Sequence, residues 1–163
     1  MKNQKSNQEP CCPKFNPEPW DEKTFIWNGK PFIKDQVIQL FHIPLNIKQV
    51  IARMWKKVQD ADAAPPNEEF LILAFDPSPW KSELYMTVTK NVQNAENIKL
   101  SGTFLTKVFD GPYNAVPKWI KSMEQFVASK EKKTKKYYFH FPTCPKCAKI
   151  YGKNYAIAFA EVE

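Results

Sequence analysis

The stretch Leu40-Phe41-His42-Ile43-Pro44-Leu45-Asn46 returns as Val108-Phe109-Asp110-Gly111-Pro112-Tyr113-Asn114, each time between a strand-like run and an amphipathic helix-like run. Such an echo marks a duplicated supersecondary unit. Two copies of one unit restrict the chain to a pseudo-symmetric domain with a seam between its halves, and seams of this kind are where pockets form.

The unit can be traced residue by residue. Residues 1–31 hold five prolines and the anchors Phe15, Trp20, Phe25 and Trp27, which predicts an irregular arm packed down by its aromatics, with residues 1–9 free. From Phe32 to Phe41 the pattern is a strand. Asn46 can cap a helix carrying Ile47, Val50, Ile51, Met54, Trp55 and Val58 at helical spacing. Strand runs at 70–75 and 83–89 follow, separated by Asp76-Pro77-Ser78-Pro79-Trp80. The second unit repeats the order. Its first strand is 99–109, its cap Asn114, and its helix carries Val116, Trp119, Ile120, Met123, Phe126 and Val127, with Pro117 tolerated in the first turn. Strands at 137–141 and 155–162 close it.

Period-two alternation sorts the faces. Leu84, Met86 and Val88, with Ala156, Ala158, Ala160 and Val162, form faces small or apolar enough to sit under helices. Glu83, Tyr85, Thr87 and Thr89, with Tyr155, Ile157, Phe159 and Glu161, form the opposite, mixed faces. The expected fold is therefore α+β: two strand-helix-strand-strand repeats (32–90 and 98–163) in one domain over 32–163, after the arm 1–31. The repeats form a curved antiparallel sheet with both helices on its convex face and a pocket on its concave face.

At 163 residues one domain with a real core is expected, and 43% hydrophobic residues exclude a wholly disordered chain. No apolar run approaches the roughly 18 residues of a membrane span, and Met1–Pro10 lacks the apolar centre of a signal peptide, so a cytoplasmic protein without membrane contact is expected. Much of the net charge of +7 sits in one connecting run, Lys130 to Lys136, so nucleic acid is not expected as a partner. With only 4 glycines and no phosphate-cradling loop, no nucleotide cofactor is expected.

The duplicated unit, with Gly111-Pro112-Tyr113 closing a strand and Trp119 on the helix behind it, resembles the GyrI-like small-molecule-binding superfamily over roughly residues 32–162. Within it the chain is similar to a bacterial branch carrying Cys11-Cys12-Pro13, Pro19-Trp20-Asp21-Glu22-Lys23 and Thr143-Cys144-Pro145-Lys146-Cys147-Ala148-Lys149. The resemblance implies a fold, an aromatic pocket and, for this branch, a hydrolase label given by analogy with relatives that open strained rings by adding water. Effector-binding relatives place a glutamate on the strand after the second helix. Here that strand reads Tyr137-Tyr138-Phe139-His140-Phe141, so recognition of a cation would fall to Glu83 or Glu161.

Cys144-Pro-Lys-Cys147 presents two sulfurs to one ion, and Cys11 and Cys12 could complete a four-sulfur, structural zinc site, with His140 able to replace one of them. A disulfide or redox pair and free thiols are the other readings. A redox role is disfavoured by the expected position of the pair in a loop, since reactive CxxC pairs open a helix.

Glu83 as a base for a water and Tyr85 as a donor to the leaving oxygen, together with His140 on the strand face of Tyr138, form a candidate catalytic set for opening a strained electrophile. Phe41, His42, Trp80, Thr87, Phe109, Tyr113, Tyr138, Tyr155 and Phe159 are the candidate ligand-binding residues. The competing reading is that the tyrosines bury their rings and the histidines are satisfied core or rim groups. Trp20, Asp21, Glu22 and Trp80 could form a lid, or Trp20 could simply anchor the arm. The expected function is binding of a hydrophobic or aromatic small molecule, with hydrolysis left open. The alternative is a metal-stabilised protein-interaction module without catalysis.

Overall fold

A computed structural model describes residues 11–163 of the chain. The expected free tail over residues 1–9 lies outside the described residues. In chain order the elements are strand β1 (Lys23–Leu40), strand β2 (Ile43–Pro44), helix α1 (Ile47–Asp60), strands β3 (Ile72–Ser78), β4 (Lys81–Thr87) and β5 (Glu96–Asp110), helix α2 (Val116–Ser129), strand β6 (Thr134–His140), helix α3 (Pro145–Tyr151) and strand β7 (Tyr155–Val162).

The fold is α+β, and every strand pairing is antiparallel. β1 is the key to its closure. Its second half pairs with β4 from Phe32↔Thr87 to Ile38↔Lys81, while β5 runs along its other edge from Lys23↔Thr106 to Lys34↔Glu96. β5 then pairs with β7, β7 with β6, and β6 meets β3 at a single position, Ala74↔Phe139, before β3 returns to β4. The curved sheet thus closes into a barrel-like ring with its weakest seam between β3 and β6.

β1 begins nine residues earlier than the sequence suggested, so residues 23–31 are strand and not irregular arm. Asn28-Gly29 and Pro31 look like punctuation, but Asn28-Gly29 form a β-bulge between Trp27 and Lys30, with Gly29 at φ 72°, and Pro31 pairs in register with Lys99, so the strand is interrupted without ending. Two expected caps also differ. The Asn46 amide oxygen accepts the Ile38 N–H at 2.9 Å instead of capping α1, and Asn114 lies inside a short 3-10 turn, leaving Ala115 as the residue before α2.

Three clusters make the core. Val50, Met54 and Val58 of α1 pack on Ile33, Val37, Leu84 and Met86. Met123 and Val127 of α2 pack on Leu105, Ala158, Ala160 and Val162, where the alanines let the helix approach closely. The third cluster holds Phe32, Leu71, Leu73, Tyr85, Phe104, Tyr138, Ile157 and Phe159, the residues of opposite parity, which face the inside of the ring. Among the described residues this inner face is filled by side chains. Two surface grooves lie elsewhere, about 350 Å³ beside Lys132, Lys133, Lys135 and Tyr137, and about 250 Å³ beside Ile51, Trp55 and Phe70.

Candidate functional site

The inner face is aromatic because β1, β4, β5, β6 and β7 each turn large rings toward it at period two. Trp27 lies 4.4 Å from Phe104 and 5.8 Å from Phe159 between ring centroids, and Tyr138 lies 5.7 Å from both Tyr85 and Phe75. Toward the edge of this face stands the carboxylate of Glu83. Glu83 accepts the Tyr85 hydroxyl at 2.7 Å and pairs with Lys34 at 3.2 Å, all three groups being largely buried. Lys34 also sits 5.8 Å above the Tyr85 ring, and Lys136 sits 4.8 Å above Phe75.

Burial works to raise the Glu83 carboxyl, but the hydrogen bond from Tyr85 and the Lys34 ammonium outweigh it and hold the group below its usual range. Burial and the adjacent Glu83 charge push the Tyr85 phenol well up, and burial with the charges of Glu161 and Glu83 pushes Tyr138 up to about 12. At neutral pH Glu83 is therefore an ionised, already satisfied acceptor and both phenols keep their protons. That arrangement stabilises a charge more readily than it removes a proton. Lys34 was missed from sequence. Its parity with Phe32 placed it on the inner face, and only the pairing of β1 with β4 brings it opposite Tyr85 and beside Glu83.

His140 is buried on β6, and its Nδ1 accepts the Ile72 N–H at 3.0 Å. Burial drops it to about 4, so it is neutral and occupies the place of a ladder hydrogen bond where β3 and β6 part. It lies outside the Glu83 cluster. Thr87 is buried too, its hydroxyl accepting from Leu71 N–H at 2.8 Å. Phe159 is fully buried inside the ring, and Tyr155 packs on Phe15 at 5.3 Å. Phe109 sits on the other side of the sheet, stacked on Trp119 of α2 at 5.6 Å. Phe41 and Trp80 meet at 5.0 Å on the surface, with His42 3.6 Å from Asp76, and Tyr113 is exposed beside Phe141. Thus Glu83, Tyr85, Tyr138 and Phe159 share the inner face, while Phe41, His42, Trp80, Tyr113 and Phe109 do not join them.

The arm is anchored. Trp20 packs on Phe25 and Phe159, Asp21 accepts the Val108 N–H at 3.0 Å, and Glu22 pairs with Lys107 at 3.0 Å. Trp80 is not part of this contact.

At the start of the arm the sulfurs of Cys11, Cys12, Cys144 and Cys147 all lie within 4.8 Å of one another, an arrangement that could hold a metal ion. His140 is not among them. The Cys144–Cys147 pair lies on α3 and its leading residue, not in a loop: Pro145 starts the helix, and Gly152, at φ 68°, ends it. The loop-based objection to a redox role therefore falls. No disulfide is formed, and each sulfur has neighbours from both segments.

No curated protein matches the chain by sequence. The model of a family described as "Bacterial hydrolase" matches residues 2–162. Among solved structures, the EcmrR C-terminal domain superposes with a TM-score of 0.67 at 11% identity, covering 88% of this chain and 98% of that one. A hydrolase from Listeria innocua gives 0.61 at 9% identity, covering 86% and 91%. SAV2435 bound to tetraphenylphosphonium gives 0.50 at 12% identity, covering 86% and 93%. The fold is GyrI-like, as the sequence resemblance implied. EcmrR is also known in a complex with DNA, where this chain spans 56% of its length, so the expectation that nucleic acid is no partner has no support from these likenesses. Among the described residues no helix is long and apolar enough to cross a membrane.

Proposed function

We propose that this chain, which belongs to the bacterial hydrolase family, binds a hydrophobic organic molecule at the solvent end of the aromatic inner face, with Glu83 as its polar contact. The observation that carries this is the ionised carboxylate of Glu83, held by Tyr85 and Lys34 at the edge of a face made largely of aromatic rings. A ligand bearing delocalised positive charge would take the place of Lys34, lie against Tyr85, Tyr138 and Phe75, and leave Glu83 neutralised. The binding of tetraphenylphosphonium by SAV2435, which shares the fold, supports this choice of ligand class. The two strand-helix-strand-strand halves, with helices outside and rings inside, are the scaffold we assign to the site.

Hydrolysis, with Glu83 steering a water onto a strained ring and Tyr85 donating to the leaving oxygen, is the chemical extension of this reading. The hydrogen bond already made by Tyr85 to Glu83 favours binding over turnover. A cytoplasmic setting suits four free thiols.

Titration with tetraphenylphosphonium, followed through tryptophan fluorescence, tests the reading. Saturable quenching is expected, weakened about tenfold or more in Glu83→Gln, which corresponds to roughly 1.4 kcal/mol or more. Absence of quenching, or equal quenching in the variant, overturns it. A second reading, a zinc-stabilised module that docks another protein, is favoured by the lysine-lined groove of about 350 Å³ at Lys132, Lys133 and Lys135. Replacing those lysines by glutamate should abolish docking and leave tetraphenylphosphonium binding intact.

A further inference from the structure

We infer that Cys11, Cys12, Cys144 and Cys147 form a closed zinc site whose ion clips the arm onto the barrel. Four sulfurs at about 2.3 Å from a tetrahedral Zn²⁺ stand about 3.8 Å apart. Cys11 Sγ lies 4.0, 3.6 and 3.4 Å from the sulfurs of Cys12, Cys144 and Cys147. These separations bracket the tetrahedral edge and far exceed the roughly 2.05 Å of a disulfide bond. The vicinal pair Cys11 and Cys12 thus brings both sulfurs to one centre.

The hydrogen bonds around the sulfurs have the pattern a thiolate cluster needs. The backbone N–H of Cys12 donates to Cys147 Sγ at 3.3 Å, and the N–H of Cys144 donates to Cys12 Sγ at 3.4 Å. Tyr151 donates its hydroxyl to the Cys12 carbonyl at 2.6 Å, fixing the arm to the end of α3. All donors are soft sulfurs, with no carboxylate or imidazole in the set, which selects Zn²⁺ over Mg²⁺ or Ca²⁺. On loading, the four thiols release four protons and the site carries a net charge of −2. Lys14, Lys146 and Lys149 lie close to the cysteines in sequence, on the same two segments.

With all four positions filled by protein the ion has no place for a water, so it acts as a clip and not as a catalyst. Cys11 and Cys144 are 133 residues apart in sequence, and closing a loop of that length is the case in which a cross-link most restricts the unfolded chain. The segment it holds carries Phe15 against Tyr155 and leads directly to Trp20 over Phe159. The clip therefore orders the part of the arm that covers the β7 side of the aromatic interior.

The test uses the full chain purified without chelator. Elemental analysis is expected to find close to one zinc per chain, and exchange for Co²⁺ should give the visible spectrum of a tetrahedral tetrathiolate. Removing the metal should speed amide exchange at Cys12, Phe15 and Cys144 by about tenfold or more, with no change in β4, and zinc should restore it. The double variant Cys144→Ser/Cys147→Ser should lose the metal and keep its far-ultraviolet circular dichroism. Iron in place of zinc, two disulfides by thiol titration, a metal content well below one per chain, or arm exchange indifferent to metal would each overturn the inference. Should the variant unfold, removal and restoration of metal in the unaltered chain decides the matter alone.

Discussion

The Tyr85 hydroxyl donates to Glu83 at 2.7 Å from two positions along the same strand, so the two side chains point the same way and the phenol answers the carboxylate without help from another element. Only Lys34, from β1, comes from outside.

Removal of that hydroxyl in Tyr85→Phe should raise the Glu83 carboxyl toward its ordinary value and cost about 1–2 kcal/mol of stability near pH 7. A carboxyl depressed on folding contributes stability that is present above its unfolded value of about 4.3 and is lost as pH falls through the folded value. Denaturant midpoints between pH 7 and 3 should therefore fall less steeply at the acid end in the variant. An unchanged acid slope would show that the hydrogen bond does not set the Glu83 titration.

His140 gives a second, separable pH dependence. It titrates near 4 when folded and near 6.5 when unfolded, so the unfolded chain binds more protons between these values and stability declines as pH drops from about 6.5 toward 4. His140→Asn, whose amide oxygen can still accept the Ile72 N–H, should flatten this part of the curve. At pH 7 its cost should stay within about 1–2 kcal/mol.

Phe159 is fully buried among Trp20, Trp27 and the other inner rings. Phe159→Ala should destabilise by about 3–5 kcal/mol. The dry cavity it leaves should bind a benzene-sized molecule, read as a rise in melting temperature on adding benzene.

Phe41 and His42 link β1 to β2 with φ values of 48° and 66°, a pair of left-handed positions that Asn-Gly adopts at much lower cost. Replacing Phe41-His42 by Asn-Gly should stabilise the fold by about 1 kcal/mol, less whatever the Phe41–Trp80 contact contributes. If the site is the inner face, tetraphenylphosphonium binding should not change.

The readable parts of this fold were those governed by local periodicity. The stripes Val50, Met54, Val58 and Met123, Val127, and the parity of Leu84, Met86 and Val88, fixed which side chains meet, because helix and strand periods are properties of the chain alone. The four cysteines were readable as a set because CxxC spacing is a local chemical signal. Closure of the ring was not. It depends on β1 continuing through Asn28-Gly29 and Pro31, residues whose local preference is to interrupt, and on pairing with β5 some 70 residues away. The fate of the expected hollow followed from that closure, since Trp27 and Phe25 lie on the part of β1 that had been read as arm. Phe109 was a candidate ligand-binding residue, but it stacks on Trp119 and so lies beneath α2. The short helix α3 was legible in principle from Pro145 and Gly152, at its two ends.

β1 belongs to two walls at once: one edge completes the wall that contains β4, the other the wall that contains β5. Neither wall is a self-sufficient module. Severing the chain between residues 89 and 95 would leave the later fragment without the partner of β5, and the two pieces would have to reassemble through that shared strand. A tilt imposed on either wall is passed to the other along a single continuous backbone, so the two walls share one mechanical spine.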